Sequence, residues 1–462
     1  MQHQLSTTPI ANHVHTADID IPRRSRCKLG FGLFLLLNGV LFIRPGEVVP
    51  ALVGLPIYEV VIVGCLLASL PAIAERLRWS ELSKNLAVVC TLGMLPAVVL
   101  SFLTHGNLYD ARMSAIEFGK VILYYLLLIG LIDSWWRFRI FLLFILGYIT
   151  ATAVLALLSY HGAINIAALT PYMYPTGDAE SGDGGMLVRL QASGIFGDPN
   201  DFSLILVSGL LLCTHLLIES NRLLRRACWF LPVPVLGYAF FLTRSRGGLL
   251  ALLAGLLTLT LTRFGWRKTL PIWAVLLPTL LIVFGGRQTS IDLSDTSDTA
   301  QGRIQIWRDC LVLLHHDPLR GLGYGMLFEE TGRPAHNSFV HCFCELGLIG
   351  GTLFTGAFYV SISAIGNLRP RGASRHSSEG AYWRQPTLAV AVAYAIGLCS
   401  LSRPYGVPTY LILGLCATYL GLAQASRTAS ILNVRGSSLG RVAIAGAACL
   451  LFFEVFVRVF AV

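Results

Sequence analysis

The chain has 462 residues, of which 55% are hydrophobic and 13% are charged, and its mean hydropathy is +0.66. This composition excludes a soluble globular domain of that size, so we predict an all-α polytopic membrane protein. The formal net charge is +10 at pH 7. The basic residues form short clusters between apolar segments, as the positive-inside rule expects of cytoplasmic connectors. We therefore interpret the charge as a sign of membrane topology and expect no nucleic acid partner.

Residues 1–28 form a polar segment that ends in the basic stretch PRRSRCK. They lack the short apolar core and the small-residue cleavage site of a secretory signal peptide. We expect a disordered cytoplasmic N-terminal tail, followed by a first membrane span that is retained.

Thirteen apolar windows follow, and all but the short first one suit a hydrocarbon layer of about 30 Å. They lie near residues 29–43, 50–74, 86–104, 115–133, 139–160, 201–219, 227–243, 247–264, 269–285, 338–364, 386–402, 405–424 and 442–460. We predict about 12 to 13 transmembrane helices, with helices 1–9 within residues 29–285 and helices 10–13 within residues 337–462.

The connectors between the windows alternate in charge. Connectors that follow an even number of windows carry clusters of arginine and lysine, which predicts that they lie in the cytoplasm. Two long connectors fall on the opposite side and are rich in carboxylates, residues 161–200 and residues 286–336. We expect both to face the exterior, which is the periplasm in a Gram-negative cell, with 286–336 as a large exterior loop.

The segment TRSRGG, Thr243–Gly248, connects two apolar windows on the predicted exterior side and contains Arg244 and Arg246. An arginine inside a membrane is costly, so two of them at its boundary need a reason. They could reach lipid phosphates at the membrane surface. Alternatively, their guanidinium groups could clamp a bound phosphate, whose oxygens match the fixed fork of donors.

The segment GRIQIWRDC lies in the predicted large loop, and its Arg303, Trp307 and Arg308 have the spacing of an amphipathic helix. Such a helix lies on a membrane surface with its tryptophan at headgroup level. Its role could be anchoring alone. If the helix tilts toward TRSRGG, Arg303 becomes a further donor to the same anion.

His336 and Asn337 stand at the start of a long apolar window, shortly after Pro334. We expect Asn337 or Ser338 to cap the helix. A neutral imidazole there can act as a general base toward a hydroxyl, although a purely structural histidine at a helix end is the alternative. The glycines that follow in this window are expected to form a close helix-packing face. They are Gly347, Gly350 and Gly351.

Other polar residues are given more structural interpretations. His341 and Glu345 are one helical turn apart in the same window, and we expect a buried hydrogen-bonded pair. In GDPNDF, Asp201 is expected to cap the next helix, and an exterior carboxylate could orient the arginines or bind a sugar hydroxyl. There is no H-E-x-x-H spacing, Walker loop or G-x-G-x-x-G motif opening a helix, so neither a metal nor ATP is expected.

Taken together, the motifs resemble those of the O-antigen ligase and Wzy-type polymerase superfamily. They are H-N-x9-G-x-x-G beginning at His336, S-R-G between two spans, and G-R-x-x-x-W in a large exterior loop. The resemblance covers roughly residues 190–355 by motif and the whole chain by hydropathy. FIRPGE, Phe42–Glu47, and GDPND are similar to segments of exopolysaccharide-type members. Family members usually show twelve spans, one fewer than the windows counted here.

The resemblance implies a GT-C-type membrane glycosyltransferase that inverts the anomeric configuration and uses no metal or cofactor. The implied donor is an undecaprenyl-diphosphate-linked glycan, and the acceptor is a sugar hydroxyl on a glycan or lipid-linked molecule. The implied location is the bacterial inner membrane, with the active site facing the periplasm. Proteins of polysaccharide export or chain-length control are candidate partners.

By this resemblance, Arg246 and Arg303 would bind the diphosphate and His336 would activate the acceptor hydroxyl. Arg244 is a further candidate for diphosphate binding. The candidate supporting residues are Asn337, Asp198 and Arg308. Two other classes remain open: a membrane transporter of a small anion, which arginines in a cavity would also suit, and a non-catalytic component of a glycan-export complex.

Overall fold

The computed structural model describes residues 27–103, 105–176, 185–285, 300–368, 379–425 and 436–460. Nearly all of the expected N-terminal tail, 1–28, lies outside the described residues, as does the first part of the expected large loop, residues 286–299. The described residues form an all-α structure with one small hairpin.

The first part of the chain forms helices joined by short connectors. These are α1 (Lys28–Ile43), α2 (Pro45–Val48), α3 (Ile57–Arg76), α4 (Trp79–Leu82), α5 (Leu86–Leu103), α6 (Leu108–Leu131) and α7 (Trp135–Tyr160). An antiparallel hairpin follows, with β1 (Tyr172–Thr176) paired to β2 (Gly185–Arg189). The sequence did not predict this hairpin, which lies within the expected exterior loop 161–200.

The second part contains the helices that carry the candidate motifs. Those before the large loop are α8 (Pro199–Glu219), α9 (Leu223–Phe230), α10 (Pro232–Thr243), α11 (Arg246–Phe264) and α12 (Trp266–Val283). The loop itself contains α13 (Ala300–His316) and α14 (Leu327–Thr331), and the last helices are α15 (Ser338–Asn367), α16 (Glu379–Leu398), α17 (Val407–Ala425) and α18 (Gly436–Phe460).

Twelve helices, counted over the described residues, are long and apolar enough to cross a membrane. The expectation of an all-α polytopic membrane protein is thereby confirmed. A thirteenth helix, α16, has 20 residues and is less apolar, with Glu379 and Arg384 near its start. It nevertheless lies inside the bundle, where Gly397 packs against Leu204 of α8 and Ala393 packs near Gly255 of α11. Because other helices rather than lipid contact much of its surface, α16 can be less apolar than a helix at the edge of the bundle.

Contacts between chain segments define two ends of the bundle. At the lower end, where α8 stops, Arg263 of α11 pairs with Glu219, and the Tyr419 hydroxyl donates to the Gly380 carbonyl over 2.7 Å. At the upper end, where α8 begins, the Arg189 Nε donates to the Thr243 carbonyl over 2.8 Å. Every candidate site residue named from the sequence belongs to a connector or helix terminus of the upper end, or to α13.

Candidate active site

The start of α15 is fixed by its cap and by two neighbouring segments. The Asn337 side-chain oxygen accepts from the Phe339 and Val340 backbone N–H groups, so the expected cap at Asn337 is confirmed. The His336 backbone N–H donates to the Ser402 hydroxyl over 2.8 Å. One residue earlier, the Ala335 carbonyl accepts from the Trp307 indole over 2.7 Å.

The backbone of His336 has φ +51°, a left-handed conformation that is uncommon for a non-glycine residue. Such residues cluster at functional sites, where surrounding contacts over-determine them. Here those contacts come from α13 through Trp307 and from the connector between α16 and α17 through Ser402. The half-buried imidazole is therefore presented at a defined place on the upper end.

Helix α15 is broken at Gly347, which has φ +64° and ψ −165°. A Cβ at Gly347 would overlap the backbone of Leu319. The expected helix-packing face is wrong at Gly347, because part of the preceding loop, residues 319–325 with the sequence LRGLGYG, enters the break in the helix. The carbonyls left without helical partners at Cys344 and Glu345 accept from Leu322 over 3.0 Å and Gly323 over 2.9 Å.

The break separates a short first helix, residues 338–346, from the longer apolar helix that follows. His341 and Glu345 lie in the short part, and their Nε2 and Oε1 atoms are 2.9 Å apart. The hydrogen bond expected between them is not formed, because neither ring nitrogen of His341 has a hydrogen-bond partner among the described residues. The other role of Glu345 is structural, since its Oε1 accepts from the Leu327 backbone N–H over 3.1 Å. The short helix that follows His336 is thus tied to the start of α14 through Glu345.

The TRSRGG segment forms the turn between α10 and α11. Ser245 caps α11 by accepting from the Gly248 backbone N–H over 3.1 Å. Arg244 has φ +51°, and its guanidinium lies 4.2 Å from the centroid of the Phe241 ring. Arg246 is the first residue of α11 and is exposed. The two arginines therefore differ, since one stacks on an aromatic ring and the other stands at a helix N-terminus.

The GDPND segment has a different local structure from the one expected. Asp198 is the N-cap of α8, since its side chain accepts from the Asn200 backbone N–H over 2.6 Å. The expected cap at Asp201 was wrong, because Pro199 occupies the first helical position and Asp201 falls inside the first turn. Asp201 instead pairs with Arg403, whose Nε lies 2.5 Å from its Oδ2.

Helix α13 carries Arg303 and Arg308, the arginines of the GRIQIWRDC segment. Successive helical residues are rotated by about 100°, so Arg303 lies on nearly the same side as Trp307, while Arg308 lies well away from it. Trp307 faces Ala335, and Arg308 lines a groove of about 340 Å³ between α13 and α18. Arg303 thus lies on the same side of α13 as Trp307, whose indole bonds the residue before His336, whereas Arg308 does not lie on that side.

One connector joins these groups, and the sequence did not single it out. It is the short stretch between α16 and α17, residues 399–406. Its Ser400 lies so close to Gly247 that a Cβ on that glycine would overlap the serine hydroxyl. Its Ser402 holds His336, and its Arg403 holds Asp201. The TRSRGG, GDPND and histidine segments therefore meet around residues 400–403.

The fold and site together define a polytopic all-α membrane protein with an arginine-rich polar site at one end of its bundle. Residues 231–355 match the family model described as O-antigen ligase, which covers about a quarter of the chain. Through this segment the chain is similar to the O-antigen ligase and Wzy-type superfamily, the same superfamily that its motifs resemble. No curated protein matches the chain. The matched segment contains Arg246, Arg303 and His336, but neither Asp201 nor Arg403.

Proposed function

We propose that the protein is a metal-independent, inverting glycosyltransferase of the GT-C type. It joins an undecaprenyl-diphosphate-linked glycan to an acceptor sugar hydroxyl at the periplasmic face of the bacterial inner membrane. The observation that carries the proposal is the meeting of three segments, far apart in the chain, around residues 400–403. One of these segments presents an imidazole, and another presents two guanidinium groups.

The arginines are the proposed diphosphate-binding groups. Arg246 stands at a helix N-terminus, where backbone N–H groups and the helix dipole also favour an anion. Arg303 approaches from α13 on the side that contacts the His336 segment. As the bond to the diphosphate breaks, negative charge grows on the departing oxygen, and donors already in place stabilise that transition state.

His336 is the proposed general base. The acceptor hydroxyl attacks the anomeric carbon from the face opposite the diphosphate, and a new C–O bond forms while its proton passes to the imidazole. The bond between the anomeric carbon and the phosphate oxygen breaks, and its electron pair leaves with the diphosphate. Attack from the opposite face inverts the configuration, and the imidazolium then releases its proton to water.

Replacement of His336 by Ala tests this proposal directly. We expect transfer of glycan from a purified lipid-diphosphate donor to fall by a factor of 100 or more, since general-base catalysis contributes about 10² to 10⁴. The protein level and the donor pool of the cells should be unchanged. Normal product formation by this variant would remove the catalytic role of His336.

The glycan profile of a deletion strain distinguishes two forms of the proposed activity. Loss of a polymerase leaves single repeat units attached to their acceptor. Loss of a ligase leaves long chains on the carrier lipid. A strain with a normal profile but impaired uptake of a small anion would favour a transporter instead.

A further inference from the structure

The segment between α16 and α17 is bonded to the first turn of α15 by both backbone and side chain. The Ser338 hydroxyl donates to the Leu401 carbonyl over 2.5 Å and accepts from the Arg403 backbone N–H over 3.0 Å. Together with the bond between Ser402 and His336, these contacts fix the backbone of Arg403 relative to the proposed base. Arg403 therefore has a defined starting point for its side chain.

The side chain of Arg403 is held at one nitrogen only. Its Nε donates to Asp201 Oδ2 over 2.5 Å, and its two terminal amino groups make no hydrogen bond with any residue that the structure describes. The Asp201 side chain is 8% exposed, whereas that of Arg403 is 52% exposed. A buried carboxylate thus orients a guanidinium whose outer edge is open.

The Asp201–Arg403 pair contributes little to joining the start of α8 to the connector between α16 and α17. Burying a carboxylate costs solvation free energy, which a single half-exposed arginine offsets only in part. The segments are already joined by the Ser338 and Ser402 hydrogen bonds. The geometry of the pair suits a different purpose, since a fixed guanidinium with two free amino groups matches the two oxygens of a phosphate.

The charge of Arg403 does not depend on working pH. Burial lowers the pKa of the Arg403 guanidinium, but the charge and hydrogen bond of the Asp201 carboxylate outweigh that effect and hold the pKa above its ordinary value. Arg246 begins the helix whose Gly247 touches Ser400, so a second cation stands on the adjoining segment.

We propose that Arg403 is a further diphosphate-binding residue and that Asp201 positions it. This inference rests on the proposed function and adds a substrate contact to it. The terminal amino groups of Arg403 bind oxygens of the lipid-linked diphosphate, with Arg246 binding from the adjoining turn. Asp201 does not touch the substrate and acts only through Arg403.

Binding of farnesyl diphosphate and farnesyl monophosphate to the purified full-length protein tests the inference. Because Arg246 alone can hold a monophosphate, we expect Arg403→Gln to weaken diphosphate binding by 10-fold or more but monophosphate binding by less than about 3-fold. The matched control is Arg112→Gln, an exposed arginine near the upper start of α6, which should change neither affinity. Unchanged diphosphate affinity in a folded Arg403→Gln protein would overturn the assignment.

The role of Asp201 is tested by a double-mutant cycle. Asp201→Asn should weaken diphosphate binding, and the double variant Asp201→Asn/Arg403→Gln should bind no worse than Arg403→Gln alone, because Asp201 acts through Arg403. Fully additive losses would show that Asp201 acts independently. If Arg403→Gln fails to fold, Arg403→Lys retains the charge beside Asp201 but lacks the fork. Wild-type diphosphate affinity in that variant would equally overturn the proposal.

The same measurements separate this inference from the proposed function. His336→Ala should keep its diphosphate affinity while losing transfer. If His336→Ala transfers glycan normally but Arg403→Gln binds diphosphate weakly, His336 is not the general base, whereas the diphosphate-binding role of Arg403 is retained. If transfer depends on His336 but Arg403→Gln binds diphosphate normally, the proposed glycosyltransferase activity is retained, and Arg403 serves only to join chain segments.

Discussion

The backbone N–H of His336 donates to the hydroxyl of Ser402 across 66 positions of sequence. This bond fixes a residue in a left-handed conformation that costs about 1–3 kcal/mol and persists only where its surroundings hold it. The proposed base is therefore oriented by a residue from a connector that no family motif marks.

Ser402→Ala should reduce glycan transfer without preventing folding. The substitution leaves the His336 N–H without its partner, which costs about 1–3 kcal/mol. If the resulting shift of His336 raises the activation free energy by about 1.4 kcal/mol, the reaction becomes tenfold slower. Ser402→Thr keeps the hydroxyl and should retain most activity. Single-turnover transfer rates measure the difference.

The matched control for Ser402 is Ser363→Ala, since the Ser363 hydroxyl bonds only to its own helix, at the Val360 carbonyl. That variant should transfer at the wild-type rate. Equal rates in Ser402→Ala and wild type would show that the hydrogen bond does not orient His336.

Gly347→Ala should destabilise the protein strongly. Its φ of +64° is unfavourable for alanine, and the added Cβ would overlap the Leu319 backbone. We expect a loss of about 2 kcal/mol or more, seen as a lower thermal unfolding midpoint of the purified protein. Gly366→Ala in the same helix is the control, because a Cβ there meets no atom within 4 Å. If both variants unfold at the same temperature, the loop does not enter the helix break as described.

Hydropathy predicted most of the fold, and local chemistry predicted less of the site. The apolar windows located the long helices because each must present apolar surface. The break at Gly347 lies within an apolar window and depends on a loop more than 20 residues earlier, so periodicity could not reveal it. In D-P-N-D, the proline did carry a signal, since proline favours the first helical position and makes Asp198 the cap.

Arg403 was not predicted because a lone S-R-P in a short connector has no distinctive spacing. Its proposed role depends on its hydrogen bond with Asp201, which lies 202 positions earlier in the chain. Arg246, Arg303 and His336 could be proposed from the sequence because their motifs resemble a family pattern. Contacts formed only by folding, such as those of Ser402 and Arg403, leave no local trace in a single sequence.

The orientation of the bundle is tested by cysteine labelling. Cys228 is an exposed native thiol, so the experiment uses a Cys228→Ser background. Asn165→Cys places a thiol on the exposed upper connector after α7, and Ser80→Cys places one on the lower connector after α3. A membrane-impermeant maleimide added to spheroplasts should label the first variant and should label the second only after permeabilisation. The reverse pattern would place the proposed active site in the cytoplasm.

Arg246→Lys separates diphosphate binding from anchoring at the membrane surface. Lysine keeps the positive charge and can still reach lipid phosphates, but it lacks the rigid fork that binds two phosphate oxygens at once. We expect the rate of transfer to fall by about 10²-fold, comparable to the loss of one transition-state donor. The control Arg458→Lys changes a highly exposed arginine on α18 outside the proposed site and should leave the rate unchanged. Near-normal transfer by Arg246→Lys would mean that Arg246 supplies only charge at the membrane surface, and diphosphate recognition would then depend on the arginines of α13 and the connector between α16 and α17.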